Sequence, residues 1–218
     1  MSATLAPNGL QAALHPSGTP VRPTLFNATT YSGGTTTKLY NTATTFYSGQ
    51  PVVITAAGLI DAAATVAAAG SGTRIYGVIQ GFEFTEGSSG RRAVSSWYQD
   101  SFASTTTNPD VWFWVYTDPN LTYEIQATGA FASTAVVVGS GFNFSGTAGY
   151  TPTSGTVIPG GVGYSTCGLN PVAVSAGGSA QMRILEVGRG VGNAINDAFP
   201  KVRVQLSNFE LYAPATAQ

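Results

Sequence analysis

Val111-Trp-Phe-Trp-Val-Tyr-Thr-Asp-Pro-Asn-Leu-Thr-Tyr-Glu-Ile-Gln-Ala127 is the stretch on which the fold turns. Strand side chains alternate between two faces, so Val111, Phe113 and Val115 point one way and Trp112, Trp114 and Tyr116 the other. Thr117-Asp118-Pro119-Asn120 interrupts the run with turn chemistry, because Pro119 fixes φ and Asp118 can bond its own backbone. The return segment places Leu121, Tyr123, Ile125 and Ala127 on one side and Thr122, Glu124 and Gln126 on the other. That is the pattern of a half-buried antiparallel strand, and the whole reads as two strands folded back on one turn.

The first of these strands is apolar on both faces and must be covered twice. Two of the chain's three tryptophans lie on it. Large aromatic side chains are mostly core residues, but a second apolar face also suits contact with another chain, and both readings stay open.

Outward from this stretch, further short strands separated by turns are expected at 75–84, 93–98, 182–187 and 202–206. Gly77 and Gly81 inside the first of them predict a bulge or a close backbone approach. Residues 56–69 are Ala-rich and carry helix propensity, though without an amphipathic period. Val136-Val137-Val138 is short and β-branched, residues 139–163 form a Gly/Ser/Thr-rich excursion, and a slip of parity after Leu206 predicts a bulge near Ser207-Asn208. Residues 1–38 contain Pro7, Pro16, Pro20 and Pro23, which exclude a long helix or a central strand. They read as an extended arm in front of a domain spanning 39–218, and Arg22 and Phe26 are its best anchors for a partner. The class these patterns define is all-β: an antiparallel sandwich, jelly-roll-like, with an extended Pro/Gly-rich N-terminal arm.

Composition narrows the function. Only 9% of the 218 residues are charged, against about a quarter in an average domain, while 43% are hydrophobic. Such a surface does little to keep the chain apart from other molecules, as befits a component of an assembly. A net charge of −1 with scattered basic residues gives no case for nucleic acid. The longest apolar stretch, from Ile54 to Ala69, is too short and too interrupted to span a bilayer, and Met1-Ser-Ala-Thr-Leu-Ala6 has no signal-peptide pattern. Cys167 is the single cysteine, so no intrachain disulfide is expected.

Catalytic, metal and cofactor sites are not expected. His15 is the only histidine and lies in the Pro-rich arm, far in sequence from Cys167. Glu83 and Glu124 are the carboxylates that adjacent strands would bring together most readily, and solvated strand faces account for them equally well. Gly188-Arg-Gly-Val-Gly192 lacks the spacing of a nucleotide-binding loop.

Six short segments occur in an order that resembles the capsid decoration, or cement, proteins of tailed bacteriophages. They are Asn8-Gly9-Leu10, Ser48-Gly49-Gln50-Pro51-Val52, Gly77-Val78-Ile79-Gln80-Gly81, Tyr116-Thr117-Asp118-Pro119, Tyr123-Glu124-Ile125-Gln126 and Arg183-Ile184-Leu185. The resemblance implies a β-rich structural virion protein without enzymatic activity, made in the bacterial host cytoplasm and bound to the outside of the head. Its partners would be the major capsid protein and itself, a homodimer being favoured over a homotrimer. Arg22, Phe26, Trp112, Trp114 and Tyr116 are the expected oligomer or capsid contacts. The alternative is a carbohydrate-binding or host-attachment sandwich module of a phage fibre, in which Trp97, Trp112 or Trp114 would stack on sugar rings.

Overall fold

The structure is a computed structural model and describes residues 8–32, 35–62, 74–103, 110–132, 138–145, 149–150, 164–172, 180–188, 190 and 192–207. The strands of the first half are β1 (Gln11–Leu14), β2 (Thr24–Asn27), β3 (Thr29–Ser32), β4 (Thr35–Lys38), β5 (Phe46–Tyr47), β6 (Pro51–Ile54), β7 (Ile60–Ala62), β8 (Ile75–Thr85), β9 (Arg92–Ser95) and β10 (Trp97–Tyr98). A 3-10 turn at Asp100–Phe102 leads to β11 (Val111–Tyr116), β12 (Thr122–Gln126), β13 (Gly141–Phe142), β14 (Phe144–Ser145) and β15 (Gly149–Tyr150). The chain then forms β16 (Tyr164–Ser165), β17 (Gly168–Leu169), β18 (Met182–Val187) and β19 (Lys201–Leu206). The result is an all-β antiparallel sandwich. One large sheet runs β1-β12-β19-β18-β13; the other runs β2-β11-β8-β6-β7, with β9 also paired to β8.

The pair expected as a hairpin is split between the sheets. β11 pairs with β2 and β8, whereas β12 pairs with β1 and β19. The Thr117–Asn120 turn is therefore a crossover. Asp118 accepts the Asn120 amide at 2.8 Å and meets His15 Nε2 at 2.9 Å, and Pro119 O accepts from Gln205 at 3.2 Å. Crossing sends the apolar faces of the two strands into separate cores. Val111, Phe113 and Val115 enter an aromatic core closed by Tyr40, Phe46, Trp97, Tyr98 and Phe102. Tyr123 and Ile125 enter an aliphatic core with Leu10, Val78, Ile184, Val202 and Val204.

The N-terminal segment is extended, and its described part is bonded into the body. β1 is the outer strand beside β12 and β2 the outer strand beside β11, so prolines confine these residues to sheet edges without keeping them off the sheets. Hydrogen bonds from Ala28 to Val111 and from Leu39 to Ala28, at 2.8 and 2.9 Å, tie Ala28 and Leu39 to β11.

The Ala-rich segment does not begin as a helix. Thr55–Leu59 makes a turn, with Gly58 at φ +75°, and Ile60–Ala62 returns as a strand on β6. Pairing with an existing sheet outweighs alanine's helix propensity here; residues 63–69 lie outside the described set. The strand expected at 93–98 is broken at Ser96, since β9 stays on β8 while β10 leaves to pair with β5. Gly77 and Gly81 sit at the register shifts of β8, as expected. Val136, Val137 and most of 139–163 are outside the described residues, as is Asn208 with the parity slip beyond it.

A buried polar lock closes the aromatic core. Tyr40 and Tyr98 share a hydroxyl contact of 2.8 Å, Tyr40 donates to Asp100 at 2.7 Å, and Lys38 Nζ meets both Asp100 oxygens at 2.6 and 2.7 Å. Burial holds both phenols well above their ordinary pKa, so they remain neutral donors. Cys167 is 1% exposed, and burial pushes its thiol up to about 12. It should therefore ignore a thiol reagent at mildly alkaline pH in the native state and react as the chain opens. Rapid labelling under native conditions would contradict this packing.

Candidate interaction face

The face of β11 turned away from the aromatic core carries Trp112, Trp114 and Tyr116, all half-buried. Antiparallel register decides what surrounds them. Trp112 lies between Asn27 and Glu83, Trp114 between Leu25 and Gly81, and Tyr116 beside Val78. Glu83 is in turn opposite Val94, and Thr85 opposite Arg92. The Tyr116 end closes against the aliphatic core, where burial raises its phenol pKa. The other end is open: Val94 is 58% and Leu25 49% exposed.

Gly81 shapes the centre of this face. A Cβ placed there would lie 3.8 Å from Trp114 Cε3, so the indole covers the position where β8 has no side chain. Next to it is a polar trio. Arg92 donates through Nε to Glu83 at 2.7 Å and through Nη1 to Asp110, whose other oxygen accepts the Trp112 indole N–H. Burial alone would lower the Arg92 pKa, but the bonds to Asp110 and Glu83 more than offset it and hold the guanidinium above its ordinary value. Among the described residues, the trio leaves three of the five guanidinium N–H donors without an acceptor.

Of the five contact residues expected from sequence, Trp112 and Trp114 lie together on this face and Arg22 is exposed ahead of β2. Phe26 points to the opposite side, half-buried against the aromatic core with its ring edge-on to Tyr76 at 6.3 Å. Tyr116 is packed on the aliphatic core. Trp97 is buried at 2% exposure and is unavailable for stacking. Glu83 and Glu124 stand on different sheets, Glu83 tied to Arg92 and Glu124 in register with Gln11 and Arg203. Sequence reasoning marked Gly81 as a bulge or close approach but did not connect it, or Leu25, Val94, Arg92 and Asp110, with this face.

A second feature is internal. Leu10, Val78, Tyr123, Ile125 and Ile184 share the aliphatic core, and Tyr116 packs against it. The Leu10 amide donates to Gly49 O at 2.8 Å, the Gly49 amide to Ile79 O at 2.8 Å, and the Ile79 amide to Gln50 O at 3.0 Å. Five of the six segments of the sequence resemblance thus place a residue in or against the aliphatic core, and the sixth, residues 48–52, is bonded through Gly49 to Leu10.

Among the described residues, no group of three or more His, Cys, Asp or Glu side chains is placed to hold a metal ion. Comparison with protein-family models, curated proteins and solved structures gave no match.

Proposed function

We propose that this chain is a structural virion protein that decorates the outside of a tailed-phage head and clamps neighbouring major capsid proteins. The observation that carries this reading is the gathering of these segments on the aliphatic core and the arm bonded to it. Six segments scattered between residues 8 and 185 resemble a decoration-protein pattern in their order; five of them contribute to the aliphatic core or pack on it, and the sixth is bonded to Leu10 through Gly49. The bond linking Leu10 to Gly49 and the β1 ladder fix the arm to the sandwich, as a clamp under outward load requires. The low charge content supports the same reading, because an apolar and backbone-mediated contact needs no ion pairs.

Each contact with the shell would be modest, on the order of 1,000 Å², and linked attachment through a homo-oligomer raises avidity by roughly 10²–10⁴. Salt screens exposed charge pairs and leaves apolar burial intact. Purified protein mixed with empty phage heads should therefore co-sediment, and the bound amount should be unchanged in molar sodium chloride. Release at moderate salt would make attachment electrostatic and overturn the mechanism; absence of co-sedimentation would overturn the function.

A further inference from the structure

We propose that the open tryptophan face of the β2-β11-β8-β9 sheet is a saccharide-binding platform, which takes a short run of neutral pyranose units. This goes beyond head decoration and does not depend on it.

Three occupants can be weighed: a second copy of this chain, a charged macromolecule and a saccharide. Size bears on the first. Four strands span three spacings of roughly 4.8 Å, and Asp110 to Trp114 covers four residues of about 3.4 Å, giving a face of about 200 Å². A stable protein interface needs about 800 Å² per partner, so the face is several-fold too small for a dimer on its own. Charge bears on the second. The charge of Arg92 is already countered by Glu83 and Asp110, and the protein carries a net charge of only −1, so no strong field selects a charged partner.

The chemistry fits the third. A pyranose ring has an apolar C–H face and a rim of hydroxyls. Trp114 over Gly81, with Trp112 two residues away and both half-buried, offers partly exposed aromatic surface for the former. Hydroxyls need acceptors and donors within the same few ångströms. Glu83 and Asp110 retain lone pairs, and Arg92 retains three N–H donors, all held in place by their mutual bonds. Apolar surface with a few oriented polar groups is the usual composition of a small-ligand site. The exposed Leu25 and Val94 flank the indoles and would pack on adjoining sugar units.

The test is tryptophan fluorescence of the free full-length protein titrated with cellohexaose, maltohexaose, chitohexaose and dextran. At least one should shift the emission saturably, because two of the three tryptophans form the platform and buried Trp97 supplies an unresponsive background. Trp114→Ala and Glu83→Gln should each weaken binding roughly tenfold or more, with circular dichroism and Cys167 protection unchanged. If Trp114→Ala fails to fold, Val94→Glu on the exposed rim should produce the same loss without touching either core. No response to any of the four saccharides overturns the proposal. So does a response that survives Trp114→Ala or Val94→Glu in folded protein. So does a concentration-dependent mass that Val94→Glu abolishes while saccharides do nothing, since the face then seats a second copy. Head binding is read separately by co-sedimentation, so failure of either proposal leaves the other standing.

Discussion

Phe113→Ala is expected to destabilise the chain by about 3–5 kcal/mol, the range for removing a fully buried aromatic ring. Phe113 is wholly buried at the centre of the aromatic core. Its ring centroid lies 4.9 Å from Phe82, 5.2 Å from Phe46, 5.5 Å from Tyr40 and 5.7 Å from Tyr98. Those four rings come from β8, β5, the segment before β5 and β10, so one deletion loosens the whole cover on that face of the sheet. Neighbours cannot collapse into the gap, because Tyr40 and Tyr98 are held by their shared hydroxyl contact and by Asp100. The cost therefore includes the residual cavity as well as lost burial. Urea unfolding should show a lower midpoint with an unchanged slope, and Cys167 labelling should accelerate in parallel. Trp112→Ala, on the opposite face of the same strand and only half-buried, should cost much less. Equal costs for the two would mean that the aromatic core is not where the strand's stability resides.

Much of this arrangement is legible in the sequence, and the failures have a common cause. Alternation along Val111–Tyr116 assigns each side chain to its face correctly, since strand period is a local property. The partner of a strand is not local. Thr117-Asp118-Pro119-Asn120 would turn the chain equally well within one sheet or between two, and only β2 and β8, far away in sequence, decide which. The apolar second face of β11 was the available hint, because a strand flanked by two other strands and covered at one end by a second sheet needs it. Prolines in the arm indicate edge strands, which β1 and β2 are, yet they say nothing about which edges. Phe26 shows the same limit. Its face is set by register with Phe113, which cannot be read from residues 20–30 alone. At the tryptophan face, the two indoles were visible as a pair, but Arg92, Glu83 and Asp110 come from three separate segments and meet only through the β9-β8-β11 ladder.

Gly9→Ala is expected to cost at least about 3 kcal/mol and to release the arm, whereas Gly18→Ala should cost only about 1 kcal/mol. Both glycines have nearly the same left-handed backbone, φ +70° and +72°. A side chain at either position therefore meets the same conformational penalty. Their surroundings differ. A Cβ on Gly18 would meet nothing within 4 Å, while one on Gly9 would collide with the backbone of Gly49, its carbonyl carbon 2.7 Å away and its Cα 2.9 Å away. Gly49 cannot retreat, because its amide is bonded to Ile79 O and its own added Cβ would strike Asn8 O at 2.6 Å. Relief must come from the arm. Moving it breaks the 2.8 Å bond from Leu10 to Gly49, draws Leu10 out of the aliphatic core and strains the β1–β12 ladder. The two variants thus separate backbone strain from the glycine-to-glycine crossing. Hydrogen exchange at Ala12 and Leu14 should speed up in Gly9→Ala and stay native in Gly18→Ala. Equal stability loss in both, or unchanged exchange at β1, would show that the crossing does not hold the arm. The clamp would then lack the anchor on which its proposed action depends.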